Sequence, residues 1–142
     1  RVVMQFFSRM LLMTAAALAG GCGGVAELTD EQWVELARTR SAERWQALID
    51  GRIETAYGYL SPGYRELNPY ERYAKTIKGV GMWKSAEVKN ATCDQERCEI
   101  TTELRLEVRH IRMKQPIETT TPFLERWVKD RDQGQLWFVP NK

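Results

Sequence analysis

Residues 98–109, Cys-Glu-Ile-Thr-Thr-Glu-Leu-Arg-Leu-Glu-Val-Arg, place an apolar or small side chain at every even position and a charged residue or Thr at every odd one. A period of two over twelve residues is a β-strand with one face against a core and the other in water. It predicts an antiparallel sheet with a solvated face, and it excludes the doubly covered parallel sheet of a nucleotide-binding fold. At 142 residues, 43% of them hydrophobic, with ten Gly and five Pro, the chain suits one globular domain and neither a disordered nor a fibrous protein.

Further strands are predicted around this one. Trp83 to Thr92 precedes it, and Ile117 to Lys129 with Leu136 to Val139 form a terminal hairpin across Asp130–Gly134. The segment before Gly79 is helical instead. Thr29-Asp30-Glu31-Gln32 is a capping box, and Val34, Ala37, Ser41, Trp45 and Leu48 follow at three- and four-residue steps until Asp50-Gly51. Ile53, Ala56, Tyr57 and Leu60 repeat the spacing before Ser61-Pro62-Gly63 breaks the chain. Asn68 as cap and Pro69 at the first helical position open a third helix, with Tyr70, Tyr73, Ala74 and Ile77 as its buried stripe. Three helices followed by four antiparallel strands make an α+β layout, with helices on one face of a bent sheet.

The first two dozen residues have another composition. Arg1 and Arg9 precede the uncharged run Met10–Leu18, and Ala19-Gly20-Gly21 is small. This profile is a secretory signal peptide, since the apolar run is about half of the roughly 20 residues a spanning helix needs. Ala19-Gly20-Gly21-Cys22 also resembles the lipobox of bacterial lipoproteins. The resemblance implies diacylglycerol and palmitate on Cys22, residues 1–21 as the leader and 22–28 as a tether, with residues 29–142 as the domain. It differs in carrying Ala19 where Leu is commonest. Gly23 after the Cys implies sorting to the outer membrane, facing the periplasm of a Gram-negative bacterium.

Cys93 and Cys98 bracket the polar stretch Asp94-Gln95-Glu96-Arg97 between two strands, so the two thiols are expected to meet across a hairpin as a disulfide in an oxidising periplasm. Two thiols and a single His do not fill a tetrahedral zinc shell, and no metal or other cofactor is expected. The 21 Lys and Arg exceed the 19 Asp and Glu only through Arg1 and Arg9. The remaining balance of 19 against 19 gives nucleic acid no basic patch to bind.

The order of elements resembles the NTF2-like superfamily, the cone-shaped fold shared with ketosteroid-isomerase-like proteins. Trp45 to Pro62 carries the likeness through its helix, Gly-containing turn, helix and Ser-Pro, and the final hairpin carries it through Glu125-Arg126-Trp127-Val128-Lys129 and Gly134 to Val139. The resemblance covers about residues 30 to 140. It implies N-terminal helices packed on a curved antiparallel sheet, with a pocket carboxylate beside Tyr or His donors in the catalytic relatives.

The inventory for catalysis is thin. His110 is the single His and the weak candidate for a general base, in phase with the inward set Leu104, Leu106 and Val108. Tyr57, Tyr59, Tyr64, Tyr70 and Tyr73 lie on the helical layer, where their spacing fits packing as well as a pocket. No acidic residue lies on the inward face from Cys98 to Val108. Nucleophile-elbow, phosphate-loop, His-Glu-x-x-His and dinucleotide signatures are missing from the sequence. The expectation is a lipid-anchored envelope module without catalysis that binds a partner protein or a small apolar ligand. An isomerase-like or dehydratase-like enzyme using a pocket His or Tyr is the alternative. The charged outer face from Glu99 to Arg109 is either a solvated surface with cross-strand ion pairs or a docking face for a partner or a second copy.

Overall fold

Thr29 opens the first helix as predicted. Its Oγ1 accepts from the Gln32 N–H at 3.3 Å, while Gln32 Oε1 accepts from the Thr29 N–H at 2.9 Å. Two of the four backbone donors that a helix start leaves without partners are thereby satisfied. α1 runs Asp30–Ile49 and ends at Asp50 and Gly51, the latter at φ +73°. The computed structural model describes residues 26–141; the leader and Cys22 lie outside that range.

The buried face of α1 is Trp33, Ala37, Ser41, Arg44, Trp45, Ala47 and Leu48. It shares Ala37, Ser41, Trp45 and Leu48 with the predicted stripe, but Val34 is only half-buried and Trp33 is fully covered. The indole removes far more apolar area from water than a valine does, so the helix turns that edge inward.

Three short helices follow: α2 at Ile53–Tyr57, α3 at Pro62–Leu67 and α4 at Tyr70–Thr76. Ser61-Pro62 starts a helix rather than simply breaking the chain. Ser61 Oγ accepts from the Tyr64 N–H at 3.2 Å and Pro62 stands at the first position, where its missing N–H costs nothing. Asn68 is consequently not the cap of the next helix. Its amide donates to the Tyr64 carbonyl at 3.1 Å and closes the end of α3, leaving Pro69 in the cap position of α4.

The strands are β1 at Trp83–Cys93, β2 at Arg97–Val108, β3 at Ile117–Asp130 and β4 at Gln135–Val139, in the order β1-β2-β3-β4 and antiparallel throughout. Register shifts between Trp83 and Ser85 and between Val88 and Asn90 bulge β1, and such bulges bend a strand and increase its twist. On β2, Cys98, Ile100, Thr102 and Leu104 are buried and the odd positions are wet or half-wet, as the alternation predicts. On the outer face, Lys89 bridges Glu87 and Glu103, and Lys84 lies 3.6 Å from Glu107. These exposed pairs suit a solvated sheet face and contribute little to stability.

α1 lies across the inner face of the curved sheet. One side of the core joins Trp33, Leu60, Tyr73, Ile100, Trp127 and Phe138, and the other joins Trp45, Leu48 and Leu104 with Trp83 and Phe123. Trp45 meets Trp83 and Phe123 edge-on at 5.6 and 5.2 Å between centroids. The link between α2 and α3 docks on the sheet as well, since the Phe138 N–H donates to the Tyr59 carbonyl at 2.8 Å and Leu60 bridges to Phe138. β4 covers β3 only over Arg126–Asp130. Along the rest of that edge Thr119, Thr120 and Thr121 are polar and exposed and Pro122 lacks an N–H, while Ile117 and Leu124 flank them about half exposed.

The hairpin between β1 and β2 closes on Cys93 and Cys98, which are register partners with their sulfurs at disulfide distance, 2.06 Å. Asp94 Oδ1 accepts from the Glu96 and Arg97 N–H groups at 2.8 and 2.9 Å, and these donors hold its carboxyl below the usual range. Lys129 Nζ donates to the Asp94 carbonyl at 2.6 Å and Arg131 donates to the Gln95 carbonyl at 2.7 Å, pinning the turn to the end of β3. Reduction is expected to lower the unfolding free energy by about 2 kcal/mol, the chain-entropy value for so short a loop. Urea midpoints with and without dithiothreitol measure it; identical midpoints would mean that the linkage adds nothing.

Candidate functional site

The one inward-facing carboxylate of the sheet is Glu125. On β3 the inward set is Phe123, Glu125, Trp127 and Lys129, while Leu124, Arg126 and Val128 face out. Glu125 stands opposite Ile100 of β2 and is completely buried. The expected apolar inner face therefore holds for β2 but not for β3.

α1 and β2 supply Glu125 with donors. Arg44 of α1 places Nη1 3.0 Å from Oε1. Ser41, one helical turn earlier, donates its Oγ–H to Oε2, and Thr102 Oγ1 of β2 lies 3.2 Å from the Ser41 hydroxyl and 3.5 Å from the same carboxylate oxygen. The indole N–H groups of Trp45 and Trp127 lie close enough to favour the charged form without completing hydrogen bonds. Burial outweighs these contributions and pushes the Glu125 pKa above the usual carboxylate range, with Arg44 and Ser41 pulling it back down.

The guanidinium of Arg44 is itself enclosed. It lies over the Phe138 ring at 3.7 Å and near the Trp45 ring at 5.5 Å, so it joins the two halves of the core through its faces while one edge holds Glu125. Its Nε has no partner among the described residues, a further cost of placing the group inside. This is a closed, charge-compensated cluster. Its carboxylate accepts from Arg44 and Ser41, and the Phe138 and Trp45 rings lie against the Arg44 guanidinium.

The other candidates lie elsewhere. β2 ends at Val108, so His110 leaves the inward phase and sits exposed in the turn to β3, where its Nδ1 accepts from the Arg112 N–H at 3.2 Å. Ile100, the register partner of Glu125, is eight residues before Val108, which at about 3.3 Å per residue separates the two sites by roughly 25 Å. A direct His110–Glu125 dyad is excluded by that distance. Tyr57 donates to the Arg65 and Asn68 carbonyls at 3.2 and 2.9 Å, and Tyr59 donates to Glu43 at 2.9 Å. The Tyr73 hydroxyl is buried without a partner among the described residues. The Tyr57 ring packs on Tyr70 and Tyr73 at 5.6 and 5.3 Å, so these three form an aromatic cluster.

Cavities among the described residues open on the outside. One, lined mostly by apolar surface, is a groove of about 410 Å³ formed by Leu28, Gln32, Glu35, Leu36 and Thr39 of the α1 region with Gly134 of the last turn. Among the described residues there is no cluster of three or more potential metal ligands and no helix long and apolar enough to cross a membrane.

Sequence reasoning missed Arg44 and Glu125. A signal for the first was present, because Ser41, Arg44, Trp45 and Leu48 share one helical stripe and a cation there requires an anion facing it. Glu125 gave no such signal, because Leu124 and Val128 are apolar yet face outward, so the segment has no readable period. No protein-family model matches the chain, and no curated protein sequence matches it significantly.

Proposed function

We propose that this chain is a lipid-anchored module of the Gram-negative cell envelope, an NTF2-like domain that works through its exterior as a binding or scaffolding unit and carries out no catalysis. The observation that carries this reading is the filled interior, in which Glu125 is spent on Arg44 and Ser41 and packed under Trp45, Trp127 and Phe138. Helices on one face of a curved four-stranded meander support the NTF2-like assignment. The compartment follows from the leader-like composition before Cys22 and agrees with a hairpin that closes on two cysteines. The groove beside Leu28 and Leu36 offers a partner an apolar foothold at the end of the domain where a tether from Cys22 would enter.

One observation favours the enzymatic alternative: a buried carboxylate with a raised pKa is the usual starting point for a general base. For that role Glu125 would have to exchange Arg44 and Ser41 for substrate, which would leave a guanidinium enclosed and uncompensated.

The test is made in cells. The full chain expressed in a Gram-negative host is expected to incorporate a labelled fatty acid and to pellet with outer membranes, and Cys22→Ala is expected to abolish both. A photo-crosslinker at Leu36 is expected to give a discrete adduct in the same cells. Labelling and pelleting that survive Cys22→Ala would refute the anchor, and a Leu36 position that forms no adduct would refute the foothold.

A further inference from the structure

The two ends of the sheet are built differently. The Cys93–Cys98 turn is tied down by Lys129 and Arg131. The opposite end, where β2 turns into β3 through residues 109–116, is exposed at every residue. The bonds it makes within itself are Met113 N–H to the His110 carbonyl at 2.8 Å and Arg112 N–H to His110 Nδ1. Ile111 is 97% exposed at its apex, with Met113 and Ile117 about half exposed beside it. The turn before β1 comes up to the same end: the Met82 carbonyl accepts from the Glu107 N–H at 2.8 Å, and Val80 and Met82 are exposed there too. Five of the eight large apolar side chains exposed among the described residues thus gather at one end of the domain.

Cations are interleaved with them and anions are not. Residues 109–117 contain Arg109, Arg112 and Lys114 with no Asp or Glu; the carboxylates at the base of the hairpin are Glu107, held by Arg109 at 2.7 Å and Lys84 at 3.6 Å, and its register partner Glu118. Isolated apolar side chains on a cationic loop match an anionic bilayer surface: the apolar tips enter the headgroup region and the long basic stems reach back to the phosphates. A second copy of this chain fits badly, because it would bring the same positive charge to the contact. We propose that the β2–β3 tip is a membrane-contact element that inserts Ile111 and Met113 into the surface of an anionic bilayer, with Arg112 and Lys114 on its headgroups. This reading does not depend on the Cys22 anchor, whose tether would enter at the opposite end of the domain, beside Leu28 and Gly134.

Limited trypsin cleavage after Arg112 and Lys114 reads the contact directly on the full chain mixed with vesicles. Arg112 and Lys114 favour an anionic over a neutral surface by on the order of thirtyfold in partition. Cleavage is therefore expected to be at least about tenfold slower on phosphatidylglycerol-containing vesicles than on pure phosphatidylcholine vesicles, with the difference shrinking at high salt. An Ile111→Ser/Met113→Ser variant keeps both cleavage sites and changes no buried residue, and it is expected to lose the protection. Equal cleavage on both kinds of vesicle, or protection that survives in the variant, would overturn the proposal. Protection by soluble polyglutamate without lipid would also overturn it and would point to an acidic protein partner. Pelleting of Cys22→Ala reports the anchor separately, so failure of either idea is seen without the other.

Discussion

Glu125→Leu is expected to lower the unfolding free energy by about 3–5 kcal/mol, because it leaves the Arg44 guanidinium enclosed with no counter-charge. Arg44→Met is expected to be costly as well, but with a pH dependence opposite to that of Glu125→Leu, whose deficit is largest at low pH. In the native protein burial raises the Glu125 pKa, so the folded state keeps a proton that the unfolded chain releases. The contribution of that group is fully present below the unfolded value of about 4.3 and is lost as pH rises through the native value. Without Arg44 the native pKa moves higher still. The deficit of Arg44→Met relative to wild type is therefore expected to be small near about pH 5 and to grow toward about pH 8. A guanidinium does not shed its proton in this range, so Glu125→Leu finds no relief at low pH. Urea unfolding of the three proteins at several pH values checks the signs; an Arg44→Met deficit that shrank as pH rose would contradict them.

Trp127→Ala is the second large effect expected, about 3–5 kcal/mol, the range for emptying a buried aromatic site. Trp127 is fully buried between Phe138 at 5.6 Å and Tyr59 at 6.1 Å, and it lines the Glu125 cluster as well. Its loss would open a cavity and let water reach the carboxylate. Trp127→Phe keeps an aromatic ring, though a smaller one, and gives up an indole N–H that completes no hydrogen bond among the described residues, so it is expected to cost well under half as much. Denaturant midpoints of the two variants distinguish packing from a polar role. Equal losses would mean that the indole N–H contributes more to the buried cluster than packing does.

The architecture was legible where local chemistry decides it. The capping box at Thr29 and the twelve-residue alternation of β2 are short-range patterns, and both appear as read. Ser61-Pro62 was read as punctuation because a helix start and a chain break use the same residues; only the Tyr64 N–H, which needs the Ser61 oxygen, tells them apart. The cluster was hidden because its α1 members lie 61 to 84 residues from Thr102 and Glu125, and the two sides meet only once the sheet has folded under α1. His110 illustrates the converse: its phase on the strand was right, but the strand ends two residues before it.

If the buried pair is structural and function lies on the exterior, then Arg44→Met/Glu125→Leu, which replaces both charges with apolar groups of similar volume, should be tolerated. Replacements of this kind are neutral to stabilising when the space is filled well. The decisive measurement is the unfolding free energy of this double variant, taken with its tryptic protection on anionic vesicles and its Leu36 adduct in cells. The account predicts stability at or above wild type with both surface activities retained; a well-folded double variant that has lost them would contradict it and place function at the buried cluster.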